Sequence, residues 1–271
     1  MTPKTLSVMI DCSRNGVMKP EKVKEFARLI QKMGYNALML YTEDTYEVEN
    51  EPYFGYMRGR YTIAEMKEMD AYCCSIGIEL IPCIQVLAHL GHIPRWEEYW
   101  SHMDSQDVLL VGDERNYRLI ENMLATLSKC FTSRRIHIGM DEERLDFLQR
   151  QKAQYVCSRM GEFWWQDFYH IVREVEKHGA RPWVWADMGW ERREEYISRM
   201  PKSVLQSNWY YDMFKTFAPD ARNARNNMYI ETYELLDKLG YDQIPTCSTW
   251  STSHNSRQTI AHGKEKLSAE H

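Results

Sequence analysis

The chain has 271 residues, 44% hydrophobic and 27% charged, with a formal net charge of −5. That length and composition suit a folded domain with a large core and exclude a disordered chain, while the negative balance excludes a broad basic surface for nucleic acid. No run of about 18 apolar residues is available to span a membrane. The seven cysteines (Cys12, Cys73, Cys74, Cys83, Cys130, Cys157 and Cys247) are odd in number and lack zinc-ligand spacing. Met1 to Thr5 lead directly into a strand-like run with no apolar leader, so a cytoplasmic protein with reduced thiols is expected.

Strands and helices alternate along the chain. Leu6 to Asp11 is an apolar strand with a polar end. Pro20 then opens a helix where a missing N–H costs nothing, and Val23, Phe26, Ala27, Ile30 and Met33 line its inner face up to Gly34. Asn36 to Tyr41 is the second strand. Ile63, Met66, Met69, Cys73 and Ile76 mark the second helix, closed by Gly77, and Ile78 to Val86 is a third strand apolar on both faces. A helix over Asn116 to Cys130 precedes the strand Arg135 to Gly139. Trp164, Phe168, Ile171, Val172 and Val175 form the next helical stripe, followed by strands at Pro182 to Ala186 and Val204 to Trp209. A helix around Tyr233 to Leu239 leads to a seventh strand, Ile244 to Ser248, and a short helical segment follows.

Repeated strand–helix units imply a parallel sheet with right-handed crossovers. No Gly-rich phosphate loop follows the first strand, so an α/β fold of the (β/α)₈ TIM-barrel type is expected rather than a doubly wound sheet. No repeat or linker divides it, giving a single barrel domain over residues 1–271, truncated before an eighth strand.

In such a barrel the chemistry sits at the C-terminal strand ends. Those ends carry Asp11 and Arg14, Glu43 and Asp44, His89, Asp141 and Glu142, Trp185 and Asp187, Trp209 with Tyr210 and Tyr211, and Trp250. Two adjacent acids, Asp141 and Glu142, are the minimum equipment for glycosidic cleavage, and aromatic faces suit sugar rings. Each feature also has a structural explanation. The acids can favour a helix N-terminus, His89 can be a hydrogen-bonded core residue, and Trp185 and Trp209 can be core. His137 is given no chemical role. Neighbouring side chains on a regular strand point to opposite faces, so both acids enter one pocket only if the backbone breaks near Met140, and Gly139 permits that.

Taken together, these segments resemble glycoside hydrolase family 20, the β-N-acetylhexosaminidases, especially the compact branch similar to hexosaminidase D. Ile136-His137-Ile138-Gly139-Met140-Asp141-Glu142 is similar to the family's His-x-Gly-x-Asp-Glu signature. Asp11-Cys12-Ser13-Arg14, Tyr41-Thr42-Glu43-Asp44, Ile81 to His89 and Trp183 to Asp187 resemble its motifs at strands one, two, three and five. No accessory domain of the kind that precedes the barrel in many members is expected. Gly263 to His271 looks like the lead-in to a missing eighth strand that in the family carries a further pocket tryptophan.

The resemblance implies an exo-acting enzyme that removes terminal β-linked N-acetylglucosamine or N-acetylgalactosamine from a glycan. The mechanism it implies is retaining and substrate-assisted, without cofactor or metal. Glu142 would be the general acid and base, with a raised pKa from a dry pocket and an ionised Asp141, and Asp141 would orient the 2-acetamido group. Arg14 would hold ring hydroxyls, and His89 with Asp44 would form a polar relay. Trp185 and Trp209 would wall the acetamido pocket, Tyr210 or Tyr211 would donate to the acetamido oxygen, and Asp187 and Trp250 would complete the substrate contacts. Two other readings stay open: a different two-carboxylate barrel glycosidase, or a truncated amino-sugar-binding barrel without turnover. A raw sheet edge would also favour a homo-oligomer.

Overall fold

A computed structural model of the chain describes residues 4–14, 16–143, 161–214 and 221–268. Two compact units divide it, Thr5–Pro182 and Trp183–His271 with Met1–Lys4. The described residues form the expected α/β class with parallel strands, six rather than the eight of a complete (β/α)₈ barrel. Six parallel strands follow one another in chain order.

In the first unit β1 (Ser7–Asp11), β2 (Ala37–Tyr41), β3 (Glu79–Cys83) and β4 (Arg135–His137) pair in parallel. The register sets Asp11 beside Tyr41, Tyr41 beside Cys83, and Cys83 beside His137. All four strands therefore end level, and the loops that follow them leave from one rim. That alignment is what gathers residues 130 positions apart in sequence. β2 is buried throughout, as a strand covered on both faces should be. Cutting Leu38 back to alanine in this core costs about 2–5 kcal/mol.

The helices of this unit follow the sequence pattern. α1 (Pro20–Lys32) starts on its proline and buries Val23, Ala27 and Ile30. α2 (Ile63–Ser75) opens on a reciprocal cap in which Thr62 accepts from the Glu65 N–H and Glu65 accepts from the Thr62 N–H. α3 (Glu114–Cys130) is capped by Asp113, and α4 (Glu162–Lys177) buries Trp164, Phe168, Ile171 and Val175. β5 (Arg181–Trp185) begins here, where the Arg181 N–H donates to the Arg134 carbonyl at 2.6 Å.

In the second unit β5 pairs in parallel with β6 (Leu205–Ser207), Trp183 beside Leu205 and Trp185 beside Ser207. Two short helices, α5 (Met188–Glu191) and α6 (Arg193–Arg199), lie between them; neither has enough turns to show a period in the sequence. α7 (Ala221–Lys238) comes next. The expected seventh strand survives as isolated pairing with β6: Ile244 and Thr246 donate to the Gln206 and Asn208 carbonyls at 2.8 and 3.0 Å. Pro245 sits between them, at the alternate position whose donor would face away from β6, and it has no N–H to give. α8 (Asn255–Lys266) is the last described element, so Gly263 to Lys266 are helical; Leu267 and Ser268 follow it, and residues 269–271 lie outside the described residues.

Candidate active site

The loops that leave the common rim of the first unit converge on Asp141. β4 stops at His137, and the next residues turn sharply, with Gly139, Met140 and Glu142 at φ of 75°, 71° and 52°. This run of left-handed backbone is the break that two adjacent acids need in order to share a cleft. It also explains why β4 is two residues shorter than the sequence pattern implied. His137 holds the turn: it is buried, and its Nδ1 accepts from the Gly139 N–H at 3.1 Å. Burial lowers its pKa to about 3, which keeps the ring neutral and that nitrogen an acceptor.

Asp141 is gripped from two sides. Gln85 Nε2 donates to Oδ1 at 2.7 Å, and His89 Nε2 lies 3.3 Å from Oδ2. The same His89 nitrogen stands 3.6 Å from Glu142 Oε2. Burial works against a charged His89. The hydrogen bond and charge of Asp141, with the charges of Glu142 and Glu43, outweigh it and push the imidazolium up to about 9. For Asp141 burial alone would raise the carboxyl, but the His89 hydrogen bond and charge and the Gln85 donor hold it below the usual carboxylate range. Asp141 is thus an oriented, ionised carboxylate at neutral pH. The Glu142 side chain is 54% exposed, so the dry surroundings expected for it are not found among the described residues.

A second group of charges surrounds Arg14. Its Nη1 donates to Asp11 Oδ2 at 2.7 Å, its Nη2 lies 3.3 Å from Glu43 Oε1, and the guanidinium sits 5.2 Å from the centre of the Tyr41 ring. Burial pushes the Asp11 carboxyl up, but donors from the Ser13 backbone, Arg14 and the Ser13 hydroxyl hold it below its usual range. Glu43 is buried and stands above its usual range despite Arg14, His89 and the Tyr41 hydroxyl, which donates to it at 3.1 Å. Gln85 Nε2 also donates to that hydroxyl at 3.1 Å. One polar chain therefore runs Arg14–Glu43–Tyr41–Gln85–Asp141–His89–Glu142.

The relay expected between His89 and Asp44 is replaced by other pairings. Asp44 takes Arg58 Nε on both oxygens at 3.2 Å, and Arg58 Nη2 donates to the Ser13 carbonyl at 2.6 Å. The first unit thus brings Arg14, His89, Asp141 and Glu142 into one network, with Asp44 beside it through Arg58.

In the second unit Trp185 and Asp187 are buried at the end of β5. Past β6, Trp209 stacks on Tyr211 with ring centres 5.0 Å apart and meets Trp190 edge-on at 4.5 Å. Tyr210 is core: its ring packs on Phe214 and its hydroxyl reaches the Met213 carbonyl at 3.4 Å. Trp250, expected among the substrate contacts, is 86% exposed.

Residues 7–228 match the model of the glycosyl hydrolase family 20 catalytic domain. The chain belongs to glycosyl hydrolase family 20. No curated protein matches it. Among solved structures it is similar to the Vibrio harveyi exo-β-N-acetylglucosaminidase solved with N-acetylglucosamine, at 17% identity and a TM-score of 0.68, covering 89% of this chain and 41% of that one. It is similar to the Streptomyces coelicolor A3(2) β-N-acetylhexosaminidase at 16% identity and 0.68, covering 93% and 53%. The Flavobacterium johnsoniae chitobiase aligns at 16% and 0.71, covering 90% and 38%. The chain therefore spans between 38% and 53% of the length of these relatives.

Three residues of this candidate site had no role in the sequence reading. Tyr41, Glu43 and Gln85 carry the polar chain between Arg14 and Asp141. Glu43 stood at a strand end and was visible there; Tyr41 and Gln85 look like strand residues until β2 and β3 are set level. His89, Asp141 and Glu142 are also the described residues whose ligand atoms approach within 4.8 Å of one another, close enough to suggest a cation site. These groups also have protein partners, Gln85 donating to Asp141 and His89 facing both acids, and acidic groups commonly lie together without an ion. No helix among the described residues is long and apolar enough to cross a membrane.

Proposed function

We propose that this protein is an exo-acting β-N-acetylhexosaminidase that removes terminal β-linked N-acetylglucosamine or N-acetylgalactosamine with retention of configuration. The observation that supports it most is the orientation of Asp141. Gln85 and His89 together hold it as an anion beside Glu142, as participation by an acetamido group requires. In this reading the acetamido oxygen attacks the anomeric carbon as the glycosidic bond breaks. Glu142 gives its proton to the leaving oxygen, and Asp141 accepts the acetamido N–H and offsets the charge of the oxazolinium ion. Water then attacks the anomeric carbon, Glu142 takes its proton, and the ring of the intermediate reopens. Arg14 binds ring hydroxyls through its fork, held in place by Asp11 and Glu43.

Substrate contact by Trp185, Asp187, Trp209 and Trp250 rests on the family resemblance. Between the two tyrosines, burial of Tyr210 and its bond to Met213 favour Tyr211 as the donor to the acetamido oxygen. The described cysteines are free, which supports a reducing, cytoplasmic setting.

The test is release of nitrophenol from 4-nitrophenyl N-acetyl-β-glucosaminide and from the matching β-glucoside. Turnover is expected only with the acetamido substrate, and Glu142→Gln should lower kcat by about 10²–10⁴-fold. Equal hydrolysis of the plain glucoside would point to an enzymic nucleophile and defeat the assisted mechanism.

A further inference from the structure

We infer that Tyr53, Tyr56 and Trp96 form a stacking platform for the sugars beyond the scissile bond, so that the substrate is an oligosaccharide rather than a simple glycoside. This rests on the reading of the acid pair as a hexosaminidase site.

Two loops build the platform. Tyr53, Tyr56 and Met57 lie on the β2–α2 loop, which begins with Glu43 and Asp44; Trp96 lies on the β3–α3 loop, which carries His89. β2 and β3 end level, so both loops rise from the rim that bears the acids. The Tyr53 and Trp96 rings are stacked with centres 5.7 Å apart and 30° between planes. Tyr56 meets Trp96 at 5.2 Å and Tyr53 at 6.4 Å, both edge-on. Three rings packed together in this way would normally be core. Here Tyr53 and Tyr56 are 44% and 47% exposed and the neighbouring Met57 is 81% exposed. A contiguous aromatic patch left in water marks a binding surface.

The platform is held rigidly and tied to the site. Phe54 is buried edge-on against Tyr46, Arg60 Nη1 donates to the Pro52 carbonyl at 3.1 Å, and Gly55 packs so closely on Asp44 that a Cβ there would lie 1.9 Å from its carbonyl oxygen. Arg58 joins the same loop to Asp44 and to the carbonyl of Ser13, next to Arg14. On the other loop, the Tyr99 hydroxyl donates to Glu51 and Trp100 Nε1 to the Pro94 carbonyl. Little ordering remains to be done when a ligand arrives. The chemistry suits a pyranose chain: flat ring faces for its C–H surfaces and tyrosine hydroxyls for its hydroxyls. The tie through Arg58 to Asp44 and to the Ser13 carbonyl, next to Arg14, favours a sugar over a protein partner.

The experiment compares kcat/KM for N-acetylglucosamine oligomers of two to four units with that for the nitrophenyl glycoside, in the native chain, Tyr53→Ala, Tyr53→Phe and Trp96→Ala. Loss of a stacked ring should lower the oligomer-to-aryl ratio about two- to tenfold, through KM, and Tyr53→Phe should restore it. Oligomer binding to Glu142→Gln, followed by tryptophan fluorescence, should weaken by the same factor when Tyr53→Ala is added. If nothing is hydrolysed but binding still depends on Tyr53, the hydrolase reading fails and the platform stands. If the aryl glycoside is hydrolysed while the ratio and the binding ignore Tyr53 and Trp96, or if no oligomer binds, the platform is overturned. It is equally overturned if Tyr53→Ala converts a dimer to a monomer in sedimentation equilibrium without changing oligomer binding, since the patch is then a self-association face.

Discussion

Gly139 sits at the corner where β4 turns into the acid pair, and alanine there should both destabilise the protein and disorient Asp141. Its φ of 75° puts any Cβ in the left-handed region, worth about 1–2 kcal/mol. The added methyl would also lie 2.0 Å from Gln85 Oε1, 2.5 Å from Cδ of the same side chain and 2.9 Å from the Ile84 carbonyl oxygen. A flexible exposed glutamine could swing away, but Gln85 is fully buried, and moving it breaks its bonds to Asp141 and Tyr41. The Ile84 carbonyl is backbone and has less room still. Overpacking of this kind costs about 1–3 kcal/mol, so Gly139→Ala should lose about 2–5 kcal/mol altogether. Gly179 provides the control. Its φ is 70°, yet a Cβ there meets nothing within 4 Å, so Gly179→Ala should lose only the backbone part, about 1–2 kcal/mol. Urea denaturation of the two variants should therefore differ by about 1–3 kcal/mol, with activity lost only in Gly139→Ala. Equal midpoints, or an active Gly139→Ala, would refute the claim that the turn is packed against Gln85.

The His89–Asp141 pair makes stability depend on pH. His89 is raised from 6.5 to about 9, so its contribution is complete below about 6.5 and is lost as the pH climbs through 9. Asp141 is lowered from 3.8, so its share is present above 3.8 and disappears on acidification below that. Melting temperatures between pH 6.5 and 9 should fall in the native chain and stay flatter in His89→Gln; parallel curves would remove the ion pair from the argument. Arg14→Lys loses the fork that reaches Asp11 and Glu43 together. It should cut kcat/KM at least about tenfold while changing stability by less than about 1 kcal/mol, because Arg14 is half exposed. An unchanged KM would count against its role with sugar hydroxyls. Thr62→Ala removes the α2 cap and should cost about 0.5–2 kcal/mol by denaturation, with no change in kcat.

Much of the site was legible along the chain because parallel folds deliver chemistry at strand ends, and those ends can be counted. Arg14, His89, Asp141 and Glu142 follow three of them, β1, β3 and β4, and the chemistry of paired acids is local. The pairings were not legible. Asp44 turned to Arg58 because the β2–α2 loop folds back on it, a contact no periodicity encodes. Tyr41 and Gln85 looked like ordinary strand residues until β2 and β3 stood level. Trp250 stood at a strand end among the expected substrate contacts, and only the folded chain shows that it is 86% exposed.

The sequence by itself determined the alternation of strand and helix, the parallel class and the two neighbouring acids, since hydrophobic period, caps and breakers act within a few residues. Only the tertiary structure decided which partner fixes each charge. A hydrogen bond at 2.7 Å between residues 85 and 141 depends on register and on the left-handed turn after His137, and both follow from packing of the whole sheet rather than from any local preference.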